Sequence, residues 1–175
     1  ANDGWAEHTI TWSNRPQSNT TWATVSSPPK GAWLAIDLTE EILAEASTDG
    51  ILSLRIQAGE ATLPVVYASR EYPDSAYWPE LIFTPRLDTS EVSPVEDAYA
   101  RSGAFAGQNY GSEAALLVQG GAQPDAAHLT YLKFDLTGFA GPLRQARLRL
   151  KVEDHGMTHP YQSLWAVADD SWTET

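Results

Sequence analysis

The chain has 175 residues, 42% hydrophobic and 19% charged, with a net charge of −12 from 23 acidic and 11 basic residues. Cations so few and so scattered cannot neutralise a phosphate backbone, which argues against nucleic acid and anionic membranes as partners. The absence of Cys excludes disulfide staples and thiolate metal sites, and no apolar run approaches the ~18 residues of a membrane span.

In chain order, residues 8–13 alternate polar and apolar and predict a half-buried strand. The Pro28-Pro29-Lys30-Gly31 turn introduces a second strand over 32–38. Thr39 as N-cap and acids in the first turn predict a short helix over 39–46, ended by Thr48-Asp49-Gly50. Residues 51–57 predict a strand with Leu52, Leu54 and Ile56 on one face. Further strands are expected at 63–68, 80–84, 97–101, 115–119, 129–136, 145–153 and 163–167, nearly all separated by Gly or Pro clusters. So many short strands with frequent turns predict an all-β fold, a jelly roll or β-sandwich.

Thr84 to Pro94 is polar and holds Pro85 and Pro94, which predicts a linker. The two ends of the chain resemble one another. Asn2-Asp3-Gly4-Trp5-Ala6-Glu7 matches Asp169-Asp170-Ser171-Trp172-Thr173-Glu174, with Trp5 on Trp172 and Glu7 on Glu174. Residues 1–85 therefore read as the C-terminal part of one β-sandwich repeat, 86–94 as a linker and 95–175 as the N-terminal part of the next.

Several short blocks then resemble the DNRLRE-type domain. Its opening is similar to Asp97-Ala98-Tyr99-Ala100-Arg101-Ser102-Gly103, Asn109-Tyr110-Gly111-Ser112 and Leu116-Leu117-Val118. Its central strands are similar to Tyr131-Leu132-Lys133-Phe134-Asp135-Leu136 and Ala146-Arg147-Leu148-Arg149-Leu150. Its later signature resembles Trp5-x-Glu7-x-Thr9-Ile10-Thr11-Trp12-x-Asn14-x-Pro16, Trp33 to Thr39, Ala68-Ser69-Arg70-Glu71 and Pro79-Glu80-Leu81. The halves stand in reversed order. The resemblance implies a jelly roll that recurs in tandem in secreted or surface proteins of bacteria and archaea. It also implies kinship with a carbohydrate-binding module family associated with alginate.

Catalytic patterns are poor. His155 and His159 have a metal-ligand spacing, but Gly156 and Pro160 oppose a helix there and no third ligand follows. Asp125 and His128 lack a nucleophile elbow to serve. The chain reads as non-enzymatic. Trp5, Trp12, Trp33 and Trp172 occupy strand or strand-entry positions and read as core. The loop from Arg70 to Trp78 is the densest aromatic loop in the chain. Its Tyr72, Tyr77 and Trp78 are candidate sugar platforms, since ring faces meet sugar C–H groups. Arg70 is the candidate partner for a sugar carboxylate. The alternative is that these rings pack over the sandwich edge. Asp97, Asn109 and Asp135, with Asp37, supply oxygen atoms of the kind that hold Ca²⁺, although the two Asp-Leu-Thr contexts also suit turn capping. Asn19-Thr20-Thr21 fits the N-glycosylation pattern.

Two functional readings follow. The first is a non-catalytic extracellular structural repeat that builds a surface protein or filament through head-to-tail contacts with neighbouring copies. The alternative is a carbohydrate-binding module of a secreted polysaccharide-active enzyme. A net charge of −12 repels polyuronates unless cations intervene, which favours the structural role or a neutral glycan.

Overall fold

A computed structural model describes residues 6–18, 20–26, 28–45, 49–59, 63–85, 90–121, 125–137, 139, 143–155 and 161–167. These form strands β1 (Thr20–Ser26), β2 (Trp33–Asp37), β3 (Ile51–Ala58), β4 (Val65–Ala68), β5 (Glu80–Pro85) and β6 (Ser90–Val92). The series continues with β7 (Glu96–Arg101), β8 (Ala115–Val118), β9 (His128–Asp135), β10 (Leu143–His155) and β11 (Tyr161–Ala166), and helix α1 spans Thr39–Glu45. They assemble into a β-sandwich. The first sheet has the order β1-β11-β3-β9-β7. The second has the order β6-β5-β10-β4-β8, with β2 also pairing β10.

Strands from residues 1–85 and 95–175 interleave in both sheets: β11 lies between β1 and β3, and β10 between β5 and β2. The reversed order of the two parts therefore does not prevent closure. Each half supplies strands whose backbone groups are satisfied only by the other, so the chain completes one sandwich on itself. β6 falls inside the segment read as a linker and adds to β5 through Leu81, Ile82 and Phe83. Trp5, Trp172 and Asn19 lie outside the described residues, as do the side chain of His155 and all of His159.

The core lies between the sheets. Leu52, Leu54 and Ile56 of β3 face it as their alternation requires, with Leu132 and Phe134 of β9, Leu81 and Phe83 of β5, and Leu148, Leu150 and Val152 of β10. Each such side chain contributes about 1.5–3 kcal/mol on leaving water. Tyr67 is fully buried there, and its hydroxyl donates to Gln162 Oε1 at 2.8 Å. The helix α1 is present over Thr39–Glu45, with Ala46 outside the described residues, and Asp37 rather than Thr39 caps its start. The Asp37 carboxylate accepts the Thr39 amide at 3.1 Å and hydroxyl at 2.6 Å, while Thr39 Oγ1 accepts the Ala146 amide.

The expected strand at 8–13 is not a strand. Asn14 takes its place as organiser: Oδ1 accepts the Thr11 amide at 2.6 Å and hydroxyl at 2.9 Å, and Nδ2 donates to Thr9 O at 2.9 Å. The Ile10 amide donates to Ala6 O at 2.8 Å. Local bonds thus satisfy the backbone that a sheet would otherwise pair. The segment 6–18 is a strap across the outer face of the first sheet. Ile10 and Trp12 pack there on Ala98, Ala100, Leu129, Tyr131 and Val167. This explains why seven of the eight residues of β9 are buried, since its outer face is covered too.

Candidate functional site

The strap and the first sheet make a groove. Cross-strand pairing sets Trp165 of β11, Arg55 of β3 and Tyr131 of β9 side by side on the outer face. The strap brings Trp12 and Arg15 over the same face, and the Tyr131 hydroxyl donates to Pro16 O at 3.3 Å. The resulting cleft of about 430 Å³ is lined by Trp12, Arg15, Arg55, Gln57, Gln119, Leu129 and the glycines 59, 120 and 121. Gly120 admits the chain here because a Cβ would collide with the backbone of Gly59.

The polar groups of this cleft are unusual. Arg15 stacks on the Trp12 ring with Cζ 3.8 Å from its centroid, and Arg55 lies 5.1 Å from the Trp165 ring. Arg55 is 8% exposed. Among the described residues no carboxylate pairs with either guanidinium. Burial, with repulsion from Arg55, lowers the pKa of Arg15. Arg15 Nε, Arg55 Nε and Trp165 Nε1 are buried donors with no acceptor among the described residues. Unmet buried donors cost about 1–3 kcal/mol each, a cost that an incoming acceptor removes. The lining thus combines the Trp12 ring, two cations without a carboxylate partner among the described residues, and the two amides Gln57 and Gln119.

The residues singled out in sequence go elsewhere. Tyr72, Tyr77 and Trp78 lie by the outer face of the second sheet. Tyr72 and Tyr77 contact at 5.8 Å, and Lys151 Nζ sits 4.8 Å from the Tyr77 ring and 5.6 Å from Trp33. Arg149 lies over Trp33 at 4.2 Å and pairs with Glu80 at 2.6 Å. The Tyr72 hydroxyl donates to Glu153 and the Trp78 indole to Tyr72 O, both at 2.9 Å. Those polar ends are already bonded within the chain.

Arg70 is not beside them as a free cation. Its Nη2 meets Glu7 Oε2 at 2.6 Å, its Nε meets Glu71 at 3.4 Å, and Nη1 donates to Val95 O. Its amide donates to Asp97 Oδ2 at 2.7 Å. Asp97 is 1% exposed, and its Oδ1 has no donor. Burial and the neighbouring Glu71 push the Asp97 carboxyl well above the usual range, and burial also raises Glu7 against the pull of Arg70. Asn109 Nδ2 donates to Glu7 O and to Ile10 O, the latter at 2.8 Å, and its Oδ1 accepts the Gly111 amide. Asp135 Oδ1 accepts the Thr137 amide at 2.8 Å and hydroxyl at 2.6 Å. Asp97 and Asn109 thus meet the same Arg70–Glu7 pair, one through the Arg70 amide and the other through Glu7 O, while Asp135 stands apart in its own turn. Among the described residues no group of three or more His, Asp or Glu side chains is placed to hold a metal ion.

The model of carbohydrate-binding module family 96 matches residues 1–84 and 88–175. The chain belongs to that family. No curated protein and no solved structure matches. The family is one of non-catalytic carbohydrate-binding modules, and the fold of this chain is the β-sandwich described above. Sequence reasoning missed its groove residues. Arg55 was legible as a cation at an outward position of β3, between Ser53 and Gln57, but nothing in sequence places Trp12 and Arg15 above it.

Proposed function

We propose that the module binds an acidic polysaccharide, a uronate chain, in the groove between strap and first sheet. The pair Arg15 and Arg55 carries this reading: two cations, Arg55 buried and Arg15 half-buried, without a carboxylate partner among the described residues, in a chain of net charge −12. A sugar carboxylate accepts from a guanidinium in a bidentate pair, while Trp12 and Trp165 offer ring surface. The overall charge slows the approach of a polyanion, and the local field decides the bound state. Affinity electrophoresis on alginate, pectate and neutral cellulose derivatives tests this. Retardation on the uronates and not on the neutral polymer is expected; equal retardation, or none, contradicts it.

The two stretches of the family match support a second reading. They meet where the polar segment 84–94 lies, which agrees with repeated DNRLRE-type copies following one another in a secreted or surface protein. Head-to-tail association of separate chains is a further step. Light scattering that gives a monomer at all concentrations removes that step and leaves polysaccharide binding untouched.

A further inference from the structure

The strap carries Trp12 and Arg15 of the groove lining, yet it belongs to neither sheet. What fixes its position is the loop after β7. Ser13 donates from both its amide and its hydroxyl to Ala106 O, each at 2.9 Å. Asn109 donates through one amide nitrogen to two strap carbonyls, Glu7 O and Ile10 O. Its other end accepts the Gly111 amide at 3.1 Å, which holds the side chain in that orientation. Gly111 leaves no room to spare: a Cβ built there falls far inside the 3.0 Å that real Cβ atoms keep, against the carbonyl and Cγ of Glu7. The Arg70–Glu7 pair closes the cradle from the side of β4. Two of the blocks that carry the family resemblance, the one at Asn109–Ser112 and the one at Arg70–Glu71, therefore meet at the root of the strap and not in the groove.

We propose that Asn109 and Gly111 are positioning residues for ligand binding: they seat the strap so that Trp12 and Arg15 face Arg55 across the cleft. Its binding arm rests on the acidic-polysaccharide reading, and its structural arm does not. The two side groups act without touching ligand. Asn109 holds two carbonyls that a sheet partner would hold in a strand, and Gly111 permits the close approach that lets it do so.

The test compares Asn109→Asp and Gly111→Ala in the full chain with Arg55→Gln as control. Asn109→Asp sets an acceptor against two carbonyls, and Gly111→Ala adds a methyl where the strap runs. Hydrogen exchange is read by mass spectrometry on strap peptides and on β3 and β9, and affinity for a defined oligouronate by calorimetry. Both variants are expected to speed exchange at the Ile10 and Ser13 amides at least about tenfold, with β3 and β9 unchanged. The same variants are expected to weaken binding by roughly tenfold. A merely structural role moves all the amides together. Arg55→Gln weakens binding and leaves strap exchange as it was. Strap exchange unchanged in both variants overturns the proposal, and so does a loosened strap with full affinity. If the unaltered chain binds no uronate while both variants loosen the strap, the cradle stands and the acidic-polysaccharide reading fails.

Discussion

Arg55→Gln separates binding from folding. The substitution keeps most of the alkyl stem and an amide donor, and removes the positive charge and the two-pronged donor geometry. A charge-assisted hydrogen bond contributes about 1.5–3 kcal/mol, and 1.4 kcal/mol is about tenfold in affinity, so binding of an oligouronate should weaken by roughly 10- to 100-fold. The fold should change far less. Arg55 stands 5.1 Å from the Trp165 ring, a contact that contributes about 0.5–2 kcal/mol. Against that loss, the variant relieves the repulsion with Arg15, which adds to burial in lowering the pKa of Arg15. Net stability should therefore move by no more than about 1 kcal/mol. Calorimetric titration gives the first quantity and urea unfolding the second. The difference should shrink in high salt, since the lost contribution is partly Coulombic. Full affinity in the variant refutes the assignment of the carboxylate to Arg55. A loss of affinity matched by an equal loss of stability refutes the claim that its role is in binding.

Three further outcomes test the fold around the groove. Tyr67→Phe leaves Gln162 Oε1 without its 2.8 Å donor beside an Nε2 that already lacks a partner, and should cost about 1–3 kcal/mol in urea unfolding. Gly50→Ala is strained twice, by φ of +80° and by Thr137 Cγ2 at 2.9 Å from the new methyl, and should lower the melting temperature by several degrees, roughly the effect of 1–2 kcal/mol. The third concerns pH. The Asp97 carboxyl titrates above its unfolded value, so the native state binds the extra proton. Its contribution is complete below the ordinary Asp value and is lost as pH rises through the raised folded value. Asp37 and Asp135 titrate below theirs, so their contributions are present above the ordinary value and lost as pH falls through the lowered one. Asp97→Asn mimics the protonated form and turns a donor toward Glu71. Melting curves should show the variant gaining on the unaltered chain between pH 5 and pH 8; a constant gap across that range contradicts the assignment.

The sandwich was legible because core positions in β3, β9 and β10 alternate with a period of two over five or more residues. β1 was not, and its pairing with β11 shows why. A bulge between Thr21 and Ala23 breaks the alternation, and the strand sits at a sheet edge where its Thr and Ser are exposed. The 8–13 segment shows the opposite failure. It alternates well, but Asn14 binds its backbone before any strand can. The site was harder still. Arg70 looked available because its neighbours are aromatic and polar, whereas its partner Glu7 lies 63 residues away in sequence. The groove joins 12–15, 55–57 and 119–121, and only the strap's path over the sheet brings them together. Net charge does not report the local field, for it averages over a surface on which Arg15 and Arg55 have no carboxylate partner among the described residues.

The indole N–H groups offer the most direct measurement. Titrating a defined oligouronate into the nitrogen-labelled module and following the tryptophan side-chain resonances asks which ring meets the sugar. Shifts are predicted at Trp12, which lines the cleft, and at Trp165, opposite Arg55, whose Nε1 has no partner among the described residues, with Trp33 and Trp78 still. Shifts confined to Trp33 and Trp78 would place the sugar on the second sheet, beside Tyr72 and Tyr77, and contradict the groove.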